Sequence, residues 1–180
     1  MISNEHGFNF IEIPFGGGDL FLDPFRESNR DLKEDGVLLD NSIEYYNLCI
    51  VQNPYQRAVS LYKNGMQLRK EHDLKSQNFS MYFENNLNKW GDPVNDDNFT
   101  SQHDYIKSYD DIDIFKYEEL LKSWHTINEY LVDIGLNTIK YYVDPGVVKK
   151  WEKHYDDKIA IELINYIFED DFEKLGYTKL

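Results

Sequence analysis

CIVQNPYQRAVSLYKN, residues 49–64, passes from an apolar run into a helix within a few residues. Tyr46–Val51 (YNLCIV) is short, apolar and β-branched at its end, which reads as a buried strand. Asn53 is a good helix N-cap and Pro54 suits the first helical position. Val59, Tyr62 and Met66 then recur at helical spacing, so the helix is expected to run on to about residue 72. FIEIPFGGGDLF, residues 10–21, has the same layout. A strand over Phe8–Ile13 leads into a glycine loop over Pro14–Asp19, then a short helix over Leu20–Arg26 that Pro24 limits. In a parallel sheet both loops open at the same carboxyl edge, where ligands bind. Two helix N-termini side by side there make an anion-attracting rim.

The rest of the chain extends this alternation. Phe79–Trp90 is a second long helical pattern, closed by Gly91-Asp92-Pro93, and 91–98 is a polar loop. Tyr105-Ile106 and Ile112–Tyr117 read as a strand pair or one short strand. Glu119–Ile134 is an amphipathic helix ended by Gly135. Ile139–Val143 is a candidate strand, 144–155 a basic loop, Asp156–Asp171 a last long helix and Phe172–Leu180 a tail. Strands alternating with helices predict an α/β fold, a three-layer domain with a central, mainly parallel sheet flanked by helices. The 180 residues suffice for a single domain over 1–180.

Composition narrows the function. Aromatics make up 16% of the chain, a packed globule's share. The formal charge is −14, from 33 acidic and 19 basic residues, which argues against nucleic acid as partner. No basic amphipathic helix and no long apolar stretch points to a membrane. The single cysteine, Cys49, sits in a strand and is expected to be buried and inert, which suits a reducing compartment. The opening MISNEHGFNF lacks the layout of a signal peptide, so the expected location is the cytoplasm.

The blocks in order, IPFGGGDL, VQNPYQRAVSLY, NFTSQ, DIDIFKYEEL and IFEDDFEKLGY, resemble the sulfotransferase superfamily, in particular short bacterial or phage members of its carbohydrate-sulfotransferase branch. Those members carry IPKTGGTS, VRNPYDRxVSxY, HFxPQ, DxIGRFExL and YxxDFxxFGY. The resemblance spans almost all of the chain; the second and last blocks are the specific ones. It implies a P-loop-like three-layer fold. It also implies transfer of a sulfuryl group from 3′-phosphoadenosine 5′-phosphosulfate (PAPS) to a glycan or small hydroxyl acceptor.

The same resemblance assigns roles. The first loop would hold the phosphosulfate on the amides of Gly16, Gly17 and Gly18, with Phe15 standing where the family has a lysine. Asp19 and Leu20 stand where it has two hydroxyls. An ionised Asp19 about 4 Å from a phosphate would cost roughly 4 kcal/mol at an effective dielectric of 20, unless it instead caps the following helix. In the second loop Gln52 takes the place of an arginine, while Arg57 and Ser60 match family residues. Arg57 either supports the nucleotide or forms a local salt bridge on the helix surface. The family's histidine base is Asn98 here, which cannot take a proton near neutral pH. Gln102 matches the family glutamine, His103 follows it, and Glu118 matches its acidic residue. These three are the catalytic candidates, with Lys116 beside Glu118. Lys149 and Lys150, with Lys153 and His154, fall where the family covers its nucleotide. The scaffold blocks survive while three charged or proton-handling positions read Phe15, Gln52 and Asn98. That leaves two expectations, a transferase with a divergent PAPS site or an inactive member that binds a glycan or protein.

Other chemistries are weaker. The glycines match neither a dinucleotide fingerprint nor a Walker A loop. The five histidines are scattered and no zinc spacing is present, so no metal is expected. The acidic clusters Asp110-Asp111-Asp113 and Glu169-Asp170-Asp171 read as solvated faces.

Overall fold

The structure, a computed structural model, describes residues 2–3, 6–29, 44–90, 99–139 and 151–180. The described chain groups into two compact units. The first lies within Met1–Gln52 and Ile106–Pro145, the second within Asn53–Tyr105 and Gly146–Leu180.

The first unit carries the sheet. Its strands are β1 (Ile2–Ser3), β2 (Phe8–Ile11), β3 (Tyr46–Val51) and β4 (Asp113–Lys116), in the order β1-β2-β3-β4. β1 is antiparallel to β2, whereas β2, β3 and β4 are mutually parallel. Phe10 pairs with Leu48 and Ile50 with Phe115. Alternation along β2 sends Phe8 and Phe10 to one face. Helix α1 (Asp19–Ser28) lies against that face, with the Phe21 ring 4.8 Å from Phe10 and Phe25 5.5 Å from Phe8. Helix α5 (Leu120–Asp133) joins it, Trp124 meeting Phe21 edge-on at 6.4 Å. All four phenylalanines are essentially buried, and each is worth about 2–3 kcal/mol of apolar transfer at most. On the other face Asn9 donates to Asn47 across the parallel pair at 2.9 Å.

The second unit is helical among the described residues. It holds α2 (Pro54–Glu71), α3 (Phe79–Trp90), most of α4 (Gln102–Ile106), α6 (Lys158–Ile167) and α7 (Glu169–Lys174). Its core is aromatic. Tyr55 packs at 4.9 Å from Tyr155 and 5.0 Å from Phe172, and Phe79 at 5.0 Å from Phe83 and 5.2 Å from Tyr155.

The expected starts and stops hold in several places. Asn53 caps α2 by accepting from the Tyr55 N–H at 3.0 Å, with Pro54 first in the helix. Gly135 closes α5 at φ +81°, with the Gly135 and Leu136 N–H groups returning to Val132 and Leu131. That is a Schellman ending, which needs a left-handed residue at this point.

Elsewhere the structure corrects the reading. Tyr105 and Ile106 lie in α4, not in a strand, because the Ser101 hydroxyl accepts from the Asp104 N–H at 3.1 Å and starts a helix. The last helix is broken at Phe168, whose backbone (φ −111°, ψ 33°) ends α6 and precedes α7. α1 continues through Pro24 to Ser28. The closing Gly91-Asp92-Pro93, the loop 91–98 and most of the candidate strand Ile139–Val143 lie outside the described residues.

Candidate functional site

The carboxyl ends of β2, β3 and β4 gather one set of expected site residues in the first unit. After β2 the chain turns through Pro14–Gly18, closed by a Gly16 N–H to Ile13 carbonyl bond of 2.9 Å. Handedness alternates along the turn. Phe15 has φ +58° and Gly17 +89°, while Gly16 lies outside the positive range and Gly18 is at −60°. Residues of alternating hand aim successive N–H groups to one concave side, the geometry of a phosphate-binding nest. A phenylalanine in the left-handed region costs about 1–3 kcal/mol, and such strain collects at functional sites.

The glycines also have a packing reason. A Cβ on Gly16 would lie 2.8 Å from the Ile50 carbonyl oxygen, and one on Gly17 would run into the Tyr117 ring. One on Gly18 would stand 3.2 Å from the Phe10 ring. The protein's own atoms therefore fill the side of the loop where glycine side chains are missing; with the Gly16 N–H taken by the Ile13 carbonyl, a ligand would meet the amides of Phe15, Gly17 and Gly18. Helix α1 starts at Asp19 with Gly18 in the cap position. Asp19 is thus the first helical residue by backbone; its side chain and that of Leu20 lie outside what the structure describes.

Beside this turn Gln52 follows β3 and is 5% exposed. After β4 comes a 3₁₀ turn over Tyr117–Glu119, which buries Tyr117 and leaves Glu118 exposed. Burial, then Glu118, pushes the Tyr117 phenol above its ordinary range, so it stays a neutral hydroxyl.

The other matched residues lie in the second unit and meet in its interior. Arg57 is fully buried. Its Nη1 donates to the Thr100 carbonyl at 2.9 Å and lies 3.8 Å from Asp171 Oδ2, and its guanidinium sits 5.2 Å over the Phe168 ring. Asp171, also fully buried, accepts from Gln102 Nε2 at 3.2 Å and from the His103 backbone N–H at 3.0 Å. Burial pushes the Asp171 carboxyl up and the Arg57 guanidinium down, while Arg57, Gln102 and His103 pull Asp171 back. Three resembling blocks thus converge on one polar cluster: VQNPYQR supplies Arg57, NFTSQ supplies Thr100 and Gln102, and IFEDDF supplies Asp171. Asp171 is not part of a solvated face, and Arg57 is neither on the surface nor in a local pair. Gln102 is buried with them; His103 is half-buried. The Ser60 hydroxyl donates back to the Gln56 carbonyl of its own helix at 3.3 Å.

Two polar atoms stand out in this unit, one on Gln56, which the sequence did not flag, and one on His154 of the expected basic cluster. Gln56 Oε1 and His154 Nε2 are buried without a hydrogen-bond partner among the described residues. The His154 ring lies 5.9 Å from Tyr62 and 5.5 Å from Phe79. Burial, then Lys153 and Lys63, pulls it below its ordinary range, toward the neutral form. Lys153 is exposed. Asn98, Lys149 and Lys150 lie outside the described residues. Cys49 is fully buried, and burial pushes its thiol up to about 12.

Compared with known proteins, the chain matches no family model, no curated protein and no solved structure. Among the described residues no helix is long and apolar enough to cross a membrane, and no group of three or more His, Cys, Asp and Glu is placed to hold a metal ion.

The fit to PAPS divides. The backbone of Pro14–Gly18, followed by the start of α1, fits one phosphate or sulfate group. Among the described candidate side chains the charge of the whole nucleotide is not matched: Phe15 and Gln52 are neutral, and Arg57 is engaged with Asp171 and Thr100.

Proposed function

We propose that the chain is a sulfotransferase-type protein with a P-loop-like α/β core, and that Pro14–Gly18 takes the phosphate or sulfate end of a PAPS-like ligand on backbone amides. The observation that carries this reading is the alternating hand of Phe15–Gly18 at the carboxyl edge of three parallel strands, running straight into a helix N-terminus. The order of the five sequence blocks supports the same plan. What the chain's own residues do here is bind and orient: the turn presents amides, and Tyr117 and the Ile50 carbonyl hold it in shape.

A second reading is favoured by one set of residues. Phe15 and Gln52 supply no cation to take up charge on a leaving phosphate, and Arg57 is engaged elsewhere. On that reading the protein binds its anionic ligand without transferring a sulfuryl group. Calorimetric titration with 3′-phosphoadenosine 5′-phosphate, the product nucleotide, tests the first reading, and labelled PAPS with glycan acceptors separates the two. Saturable binding with label transfer supports a transferase, and binding without transfer supports the second reading. No binding at millimolar nucleotide overturns the proposal.

A further inference from the structure

The sheet has a second recess at its opposite, amino edge. Glu44 and Tyr45 lead into β3 at Tyr46 and Asn47, Asp111 and Ile112 lead into β4 at Asp113, and both strands run toward Gln52 and Tyr117. Five residue steps along β3 separate the recess from the glycine turn, on the order of 17 Å. The recess has a volume of about 370 Å³, lined by Glu44, Tyr46, Asn47, Asp111, Asp113 and Tyr130 together with Tyr45. That is the lower end of the size range for small-molecule pockets.

Among the described residues its walls carry tyrosine rings and charge of one sign. The Tyr46 and Tyr130 rings stack with centroids 3.4 Å apart, and the Tyr46 hydroxyl donates to Asp113. Asn47 Nδ2 donates to the Asp111 carbonyl at 3.0 Å, tying the approach to β4 to the start of β3. Burial holds the Tyr46 and Tyr130 phenols above their ordinary range, with Asp113 adding to both, so the rings stay neutral. Glu44, Asp111 and Asp113 bring three carboxylates to the lining, and among the described residues no Lys or Arg lines it. All three are on exposed residues, so an entering ligand meets them without unfolding the wall.

We propose that this amino-edge recess is a binding site for an organic cation, an amine carrying one or more ammonium groups on a slender carbon chain. Ammonium groups satisfy carboxylates, and the carbon chain and its charge suit tyrosine rings. A neutral sugar would gain the rings but leave the carboxylates unneutralised, and an anion would be repelled. The site is independent of the glycine turn, so the two stand or fall separately.

The test is calorimetry with spermidine and with tetramethylammonium at low salt. It compares the unaltered protein, the recess variant E44Q/D111N/D113N and a control, E169Q/D170N/E173Q, which removes the same charge from the exposed face of α7. Circular dichroism checks that each variant is folded. Should the triple variant fail to fold, Asp111→Asn alone carries the test. The expected result is saturable spermidine binding, weakened at least tenfold by the recess variant and less than twofold by the control. Equal weakening by both variants, or no saturable binding at 10 mM spermidine, overturns the proposal. So does equal binding of a neutral polyol of similar length.

Discussion

Asp171→Asn removes one charge from the Arg57 cluster while keeping the side chain's shape. At 3.8 Å and an effective dielectric of 20, the pair's attraction is about 4 kcal/mol. Arg57 is fully buried, so its charge would lose its carboxylate and keep neutral partners such as the Thr100 carbonyl and the Phe168 ring. A guanidinium cannot shed its proton. Breaking a buried pair from one side costs about 3–5 kcal/mol, which for a chain of this size lowers the melting temperature by about 6–20 °C.

Arg57→Met is expected to cost less, because the stranded Asp171 keeps the Gln102 and His103 donors and can take up a proton. Its folded pKa then lies above its unfolded value, so the folded state binds more protons. That variant is therefore relatively more stable near pH 4 and loses stability as pH rises toward neutrality. Replacing both, as Arg57→Met with Asp171→Leu, removes the stranded charge and should recover most of the loss. Urea unfolding of the four proteins, followed by circular dichroism, closes a double-mutant cycle. Single losses below about 1 kcal/mol, or losses that simply add in the double variant, would refute the reasoning, because they would mean that the two charges are solvated or uncoupled.

Three further perturbations are simpler. Gly17→Ala forces a side chain into a residue at φ +89° that faces the Tyr117 ring; about 2–3 kcal/mol should be lost in urea unfolding, and adding Tyr117→Ala should recover the collision but not the backbone strain. Cys49 should resist a water-soluble disulfide reagent until the protein unfolds, since its thiol is buried and pushed up to about 12. Because the folded state holds that proton more tightly, its contribution is full below pH ~9 and falls by up to about 1.4 kcal/mol per pH unit toward 12; Cys49→Ala should flatten that part of the alkaline stability curve. Asn53→Ala deletes the α2 cap and should cost about 1 kcal/mol by thermal unfolding, with Asn53→Asp retaining it.

Local signals made part of the fold legible. Asn53-Pro54 marked the start of α2 and Gly135 the end of α5, because capping chemistry is set by neighbouring residues alone. The apolar run Tyr46–Val51 marked β3 because a strand buried along most of its length needs no alternation. Where local and tertiary signals competed, the reading failed. Tyr105-Ile106 looked like strand from its side chains, although Ser101 three residues before Asp104 already carried a helix-start signal. The break at Phe168 was hidden inside continuous helical periodicity, with the acidic Glu169–Asp171 as the trace of a new first turn.

Much less of the candidate site was legible. The glycine turn was visible, but the left-handed Phe15 was not, since nothing in its side chain favours positive φ. The fate of Arg57 could not be read from its helix, because its partner Asp171 is 114 positions away and stands in a run of acids that looks solvated. The amino-edge recess had no sequence signature: its walls come from three separate stretches, two brought together by the β3–β4 register and the third, Tyr130 of α5, by its stacking on Tyr46.

Binding of a nucleotide's phosphate end by Pro14–Gly18 is put to the test by titrating 3′-phosphoadenosine 5′-phosphate into the protein and into Phe15→Lys. The turn supplies amides without a cation, and a charged hydrogen bond adds about 1.5–3 kcal/mol. Weak, saturable binding to the unaltered protein is therefore expected, and binding roughly ten- to a hundredfold tighter to Phe15→Lys. Absence of binding to both proteins at millimolar nucleotide would contradict it.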